Sequence, residues 1–150
     1  MDKNNFKTEN FQTERSLTHS FGFWFVIFLI LIVLEQLTKF IAEQHTAIFL
    51  NNQFAFSLPL PVPLMYIVYS SVLILSGRYI FRSWNQLTAA AKLGWCLILS
   101  GGVSNIAERI FVGHVRDFIY IANGILNVAD FFIIIGLVIV VTQSTKKTLS

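Results

Sequence analysis

Asp117 and Asp130 are the residues whose type and spacing could carry chemistry. They lie in the stretch Gly113-His114-Val115-Arg116-Asp117 through Asn127-Val128-Ala129-Asp130. Asp117 follows shortly after a glycine, and Asp130 heads the apolar run Phe131 to Val141. An acid near or inside hydrocarbon is costly and is normally kept for a function, facing a cavity or a partner. The turn signal Asn123-Gly124 between the two can fold the chain back so that both carboxyls reach one pocket. Two carboxyls in a partly dry pocket do not both ionise readily, so one keeps a proton while the other stays charged. Such a pair can hydrolyse an amide. The charged acid takes a proton from water, the neutral one donates to the carbonyl oxygen, and a proton then passes to the leaving nitrogen. No metal or cofactor is needed, and none is expected. The three histidines form no His-Glu-x-x-His motif, and the single cysteine, Cys96, reads as a small core residue.

These acids must be positioned by an unusually apolar chain. Of its 150 residues, 55% are hydrophobic and 13% charged, against about a quarter charged in a soluble domain. This composition predicts an integral membrane protein. Apolar runs predict spans at 21–42, 64–80, 88–106 and 125–142, with a polar tail over 1–20, all in one membrane domain over 1–150. The first apolar stretch is too long for a cleaved signal peptide and reads as a retained span. Starting the fourth span at Ile125 would sink Asp130 by about 8 Å along the helix. The expected fold class is all-α, with four transmembrane helices and a small extended segment in the connection between the first two. Phe54, Phe56 and Leu58 alternate there with Ala55 and Ser57, until Pro59, Pro61 and Pro63 end the pattern.

Four spans put both termini on one side. Eight of the 11 basic residues (Lys3, Lys7, Arg15, Arg78, Arg82, Lys92, Lys146 and Lys147) then share that side, against Lys39, Arg109 and Arg116 on the other. The positive-inside rule makes the terminus side cytoplasmic, so both aspartates face outward. His19 falls on the opposite side from His45 and His114. The net charge of +3 follows from this topology and implies no nucleic-acid partner.

Glu35 and Lys39 are spaced i, i+4, the better order for a helical ion pair. They read either as a satisfied pair with Lys39 reaching the headgroups or as a polar wall of the site. A Ser57–Lys39 dyad is the rival nucleophile, and His114 reads as a surface residue. The small residues Ser100 to Ser104 allow close helix approach, while the amide of Asn105 needs a hydrogen bond or a cavity. No internal repeat supports a repeat-based transporter. From the residues alone, an intramembrane aspartyl hydrolase, an ion or proton pathway, and a structural protein with paired charges all remain open.

Five motifs in order resemble those of the lipoprotein signal peptidases (signal peptidase II). Gly113-His114-Val115-Arg116-Asp117-Phe118 fits the family's G-x-V-x-D-F, and Leu126-Asn127-Val128-Ala129-Asp130 fits F-N-x-A-D in all but its first position. Asn105-Ile106-Ala107-Glu108-Arg109 meets N-x-x-D-R, Glu35-Gln36-Leu37-Thr38-Lys39 meets D-Q-x-[ST]-K, and Asn51-Asn52-Gln53-Phe54-Ala55-Phe56-Ser57 meets N-x-G-A-A-F-S. Glu replaces Asp at 35 and 108, Gln53 and Phe54 replace small residues, and Phe131 stands where a small hydroxyl residue is usual.

The resemblance implies that Asp117 and Asp130 are a catalytic dyad. It implies that Asn51, Phe54, Phe56, Asn105, Arg109, Asn127 and Ala129 position the substrate, with Glu35, Lys39 and Glu108 in support. It implies an endopeptidase without cofactors, a monomer in the phospholipid bilayer of the bacterial inner membrane, with its site at the outer face. The implied substrate is a prolipoprotein carrying diacylglycerol on the cysteine that follows the cleaved bond. A non-catalytic or weakly active paralogue that binds lipidated transmembrane segments is the alternative expectation.

Overall fold

Among the described residues the apolar runs fold into four long helices, because a backbone in hydrocarbon must satisfy its own polar groups. In a computed structural model of the chain, which describes residues 20–52, 61–121 and 124–148, helix α1 covers Phe21–His45, α2 Val62–Ser83, α3 Ala89–Phe111 and α4 Val128–Thr148. Pro63 lies in the first turn of α2, where its missing N–H leaves no gap. The Thr88 hydroxyl caps α3 by accepting the N–H of Ala91 at 3.1 Å.

Burial is inverted relative to a soluble protein. Val33 and Leu34 of α1, Ile74 and Leu75 of α2, and Leu137 and Val138 of α4 are exposed. Glu35, Lys39, Asn105, Glu108 and Arg109 are buried. Among the described residues, three helices are long and apolar enough to cross a membrane: Phe21–His45, Val62–Gln86 with its terminal 3-10 turn, and Val128–Thr145. Helix α3 is as long but lies outside that set. Its polar residues turn inward, where α1, α2 and α4 all pack against it, so it needs less apolar surface of its own.

Helices α3 and α4 approach closely. A Cβ placed on Gly136 would lie 2.5 Å from the carbonyl oxygen of Gly94, and one on Gly101 would lie 2.5 Å from that of Ala129.

The connections are more ordered than the sequence suggests. Strand β1, Phe49–Asn51, pairs antiparallel with β2, Val115–Asp117, in the register Phe49 with Asp117 and Asn51 with Val115. Strands β3, Ile119–Ile121, and β4, Gly124–Leu126, form a second antiparallel pair. The expected alternation at Phe54, Phe56 and Leu58 lies outside the described residues, whereas the observed strand β1 ends just before it. The three strands of the second connection were not expected. Val115, Ile119, Tyr120, Ile121 and Ile125 supply the β-branched and aromatic side chains that favour them. Helix α4 starts at Val128 rather than Ile125, because the chain is still extended at Gly124–Leu126.

Candidate active site

Helix α3 ends with the N–H groups of Val112 and Gly113 both donating to the carbonyl of Glu108, at 2.7 and 3.2 Å. Gly113 has φ +87°, a left-handed conformation in which a side chain would be strained. The reversed chain runs directly into β2. Val115 and Asp117 are buried on one face of that short strand, and Arg116 projects from the other.

Asn127 begins α4. Its Oδ1 accepts the N–H of Asp130 at 3.2 Å, while Asp130 Oδ2 accepts the N–H of Asn127 at 3.0 Å. This is a capping box with Asn and Asp in the two roles. Asp130 therefore stands in the first turn of α4, not a turn and a half into a helix begun at Ile125. Extended backbone up to Leu126 removes the expected depth.

The same Asn127 reaches the other acid. Its Nδ2 donates to Asp117 Oδ1 at 2.6 Å, and Asn51 Nδ2 donates to Asp117 Oδ2 at 2.9 Å. Asp117 is only 2% exposed. Burial pushes its carboxyl above the ordinary aspartate value, against the pull of the Asn51 and Asn127 hydrogen bonds and the charges of Lys39 and Arg109.

Asp117 and Asp130 line one cleft with Asn51, Asn105, Arg109 and Asn127. The cleft is tight, with room for about one water molecule.

A buried charge cluster adjoins the cleft. Lys39 Nζ lies 2.6 Å from Glu35 Oε1 and 2.8 Å from Glu108 Oε2, and donates to Asn105 Oδ1 at 3.1 Å. Asn105 in turn donates to Asp130 Oδ1 at 3.2 Å. Lys39 is thus fully buried and does not reach for headgroups. Ser104 donates to Glu35 and accepts from Gln36 Nε2 at 2.7 Å. Ser57, the other partner considered for Lys39, lies outside the described residues.

The structure brings together Asn51, Asn105, Arg109, Asp117, Asn127 and Asp130 at the cleft, with Glu35, Lys39 and Glu108 behind them. Phe54 and Phe56 lie outside the described residues. Ala129 departs from its expected place at the substrate. It is fully buried, its carbonyl faces Gly101 of α3, and it does not line the cleft.

Tyr69 was missed by sequence reasoning. It lines the cleft, with its ring centroid 5.3 Å from the Arg109 guanidinium carbon. A phenol within an apolar run was the available signal. Arg116 was counted only as an outer basic residue, yet it binds Glu108, Gln36 and Glu43.

Known proteins share this architecture. A bacterial membrane enzyme solved by the in meso method at 2.3 Å resolution superposes with a TM-score of 0.71 at 21% identity, covering 85% of this chain and 90% of that one. At that identity the likeness is one of fold. A lipoprotein signal peptidase of Chlorobium phaeobacteroides is 33% identical, with 77% of this chain and 85% of the relative aligned. Another, from Streptococcus pyogenes serotype M5, is 29% identical over 82% of this chain and 93% of its own. The family profile for signal peptidase (SPase) II matches residues 27–146. From within its first helix to the last turns of its fourth, this chain belongs to the signal peptidase II family.

Proposed function

We propose that the chain is an intramembrane aspartyl endopeptidase that removes the signal peptide from diacylglyceryl-modified prolipoproteins. One observation carries this reading. Asp117 and Asp130 are the two carboxylates among the residues lining a cleft with room for about one water molecule.

The pair shares one proton. The ionised member takes a proton from the water, whose oxygen attacks the carbonyl carbon of the scissile bond. The neutral member protonates the carbonyl oxygen. As the tetrahedral species collapses, the C–N bond breaks and a proton moves to the nitrogen. The products are the signal peptide's carboxylate and the free amine of the lipidated cysteine. Asn51 and Asn127 orient Asp117, and Asn105 and the α4 N-terminus orient Asp130.

The protein acts as a monomer in the bacterial inner membrane, crossing four times with both termini cytoplasmic. This orientation is supported by the distribution of basic residues. The cleft then opens at the outer boundary, where lipid chains remain in the bilayer while the peptide bond meets water. No metal or cofactor takes part.

The test is cleavage of a diacylglyceryl prolipoprotein by the purified protein in detergent, read by gel shift and by the new N-terminal cysteine. Asp117→Asn, Asp130→Asn and the double variant should each lose about 10²- to 10⁴-fold in rate, and the losses should not add. Substantial cleavage by either single variant would remove the aspartyl mechanism. Substrate binding without cleavage by the unaltered protein would favour the non-catalytic paralogue.

A further inference from the structure

Arg116 is half-buried, and its side chain makes four hydrogen bonds to three residues. Its Nε and Nη2 donate to Glu108 Oε1 at 2.8 and 2.6 Å, Nη2 also donates to Gln36 Oε1 at 3.0 Å, and Nη1 to Glu43 Oε2 at 3.0 Å. Its backbone N–H lies 3.3 Å from Glu108 Oε2, the oxygen that also receives Lys39 Nζ at 2.8 Å. Glu108 is therefore gripped from helix α1 and from strand β2 together. The residue is one methylene longer than the Asp of the motif it resembles, a length that suits this double reach.

Charged groups from four elements meet around this point. Glu35, Lys39 and Glu43 come from α1, Glu108 and Arg109 from α3, Arg116 and Asp117 from β2, and Asp130 from α4. Glu43 is 55% exposed, so water screens it. The interior set Glu35, Lys39, Glu108 and Arg116 sums to zero. Without Arg116 it would hold one excess negative charge, a single amide (Asn105) away from Asp130.

We propose that Arg116 is a positioning residue for the aspartate pair. Through Glu108 it pins β2, and with it Asp117, against α1 and α3, and it balances the buried charge behind Asp130. The proposal rests on the reading of Asp117 and Asp130 as the reacting pair.

The test reads the aspartates with and without turnover. The chain has three aspartates, Asp2, Asp117 and Asp130. Their carboxyl titrations can be followed by ¹³C NMR of aspartate-labelled protein in micelles and assigned with D117N and D130N. In Arg116→Met the paired titration should move up by about one pH unit, the effect expected of one uncompensated charge at about 10 Å. The kcat for prolipoprotein cleavage should fall by about 10- to 100-fold with KM little changed. Adding Glu108→Gln to Arg116→Met restores neutrality, so the titration should return while kcat stays low. Arg116→Lys keeps the charge without the fork, so it should titrate like wild type and still lose kcat. This variant carries the test if Arg116→Met does not fold.

Wild-type kcat in Arg116→Lys, or an unmoved titration in Arg116→Met, would overturn the proposal. If the titrations respond as expected but no variant or wild type cleaves, the peptidase reading fails while the electrostatic coupling of Arg116 to the pair stands.

Discussion

The side-chain amide of Asn127 donates to the carboxyl of Asp117 at 2.6 Å, although the two belong to different elements, helix α4's cap and strand β2. The carbonyl end of the same amide caps α4 through the N–H of Asp130. One asparagine therefore fixes both acids, and its orientation sets theirs.

Asn127→Ala removes the cap and the donor to Asp117 together. Loss of an N-cap costs about 1 kcal/mol, so the variant should remain folded and melt a few degrees lower. Cleavage should fall by much more than this stability loss implies. Melting in detergent and initial rates on one preparation separate the effects, and an unchanged rate would mean that Asn127 serves the helix alone.

Burial raises the Asp117 carboxyl above its ordinary value. A folded pKa above the unfolded one stabilises the native state fully below about pH 3.9, the unfolded value. That stabilisation is lost as pH rises through the folded pKa. Asp117→Asn is neutral at every pH; its remaining amide oxygen can still accept from Asn127, and the Asn51 amide can turn to accept from its new NH2 group. It should therefore melt higher than wild type at neutral pH while being inactive, and the difference should vanish at pH 3. Thermal unfolding across this range checks the sign; a lower melting point at neutral pH would contradict it.

Lys39 is the ammonium between Glu35 and Glu108, all three being 5% exposed or less. Lys39→Met leaves two buried carboxylates without it, and breaking a buried pair in this way costs about 3–5 kcal/mol. The variant should express poorly or unfold at low temperature. Lys39→Met with Glu35→Gln should recover part of the loss, since one of the stranded charges is gone. Thermal shift of the three proteins measures this, and a well-folded single variant would argue against a charged cluster.

Gly101 and Gly102 are neighbours with different surroundings. A Cβ on Gly101 meets the Ala129 carbonyl at 2.5 Å, while one on Gly102 meets only Leu73 Cδ2 at 3.4 Å. Gly101→Ala should push α4 outward next to Asp130 and reduce cleavage severely, and Gly102→Ala should behave almost as wild type. Parallel cleavage assays of the two variants test this, and equal rates would show that the α3–α4 contact can yield.

The sequence by itself determined the apolar runs, the two acids and the i, i+4 pair of Glu35 with Lys39, because composition and short spacing are local properties. It also carried the five motifs by which the family could be named. Only the tertiary structure decided that Asn127 joins the acids, that Arg116 and Lys39 share Glu108, and that Tyr69 faces Arg109. In a bilayer the face turned to lipid is apolar and the packed face need not be, so the apolar periodicity that marks a buried face in a soluble protein does not say which side is packed. Pairings such as Asn51 with Asp117 join residues distant in sequence, through strands too short to announce themselves. Their partners are chosen by how the helices pack, a choice that no local pattern along the chain records.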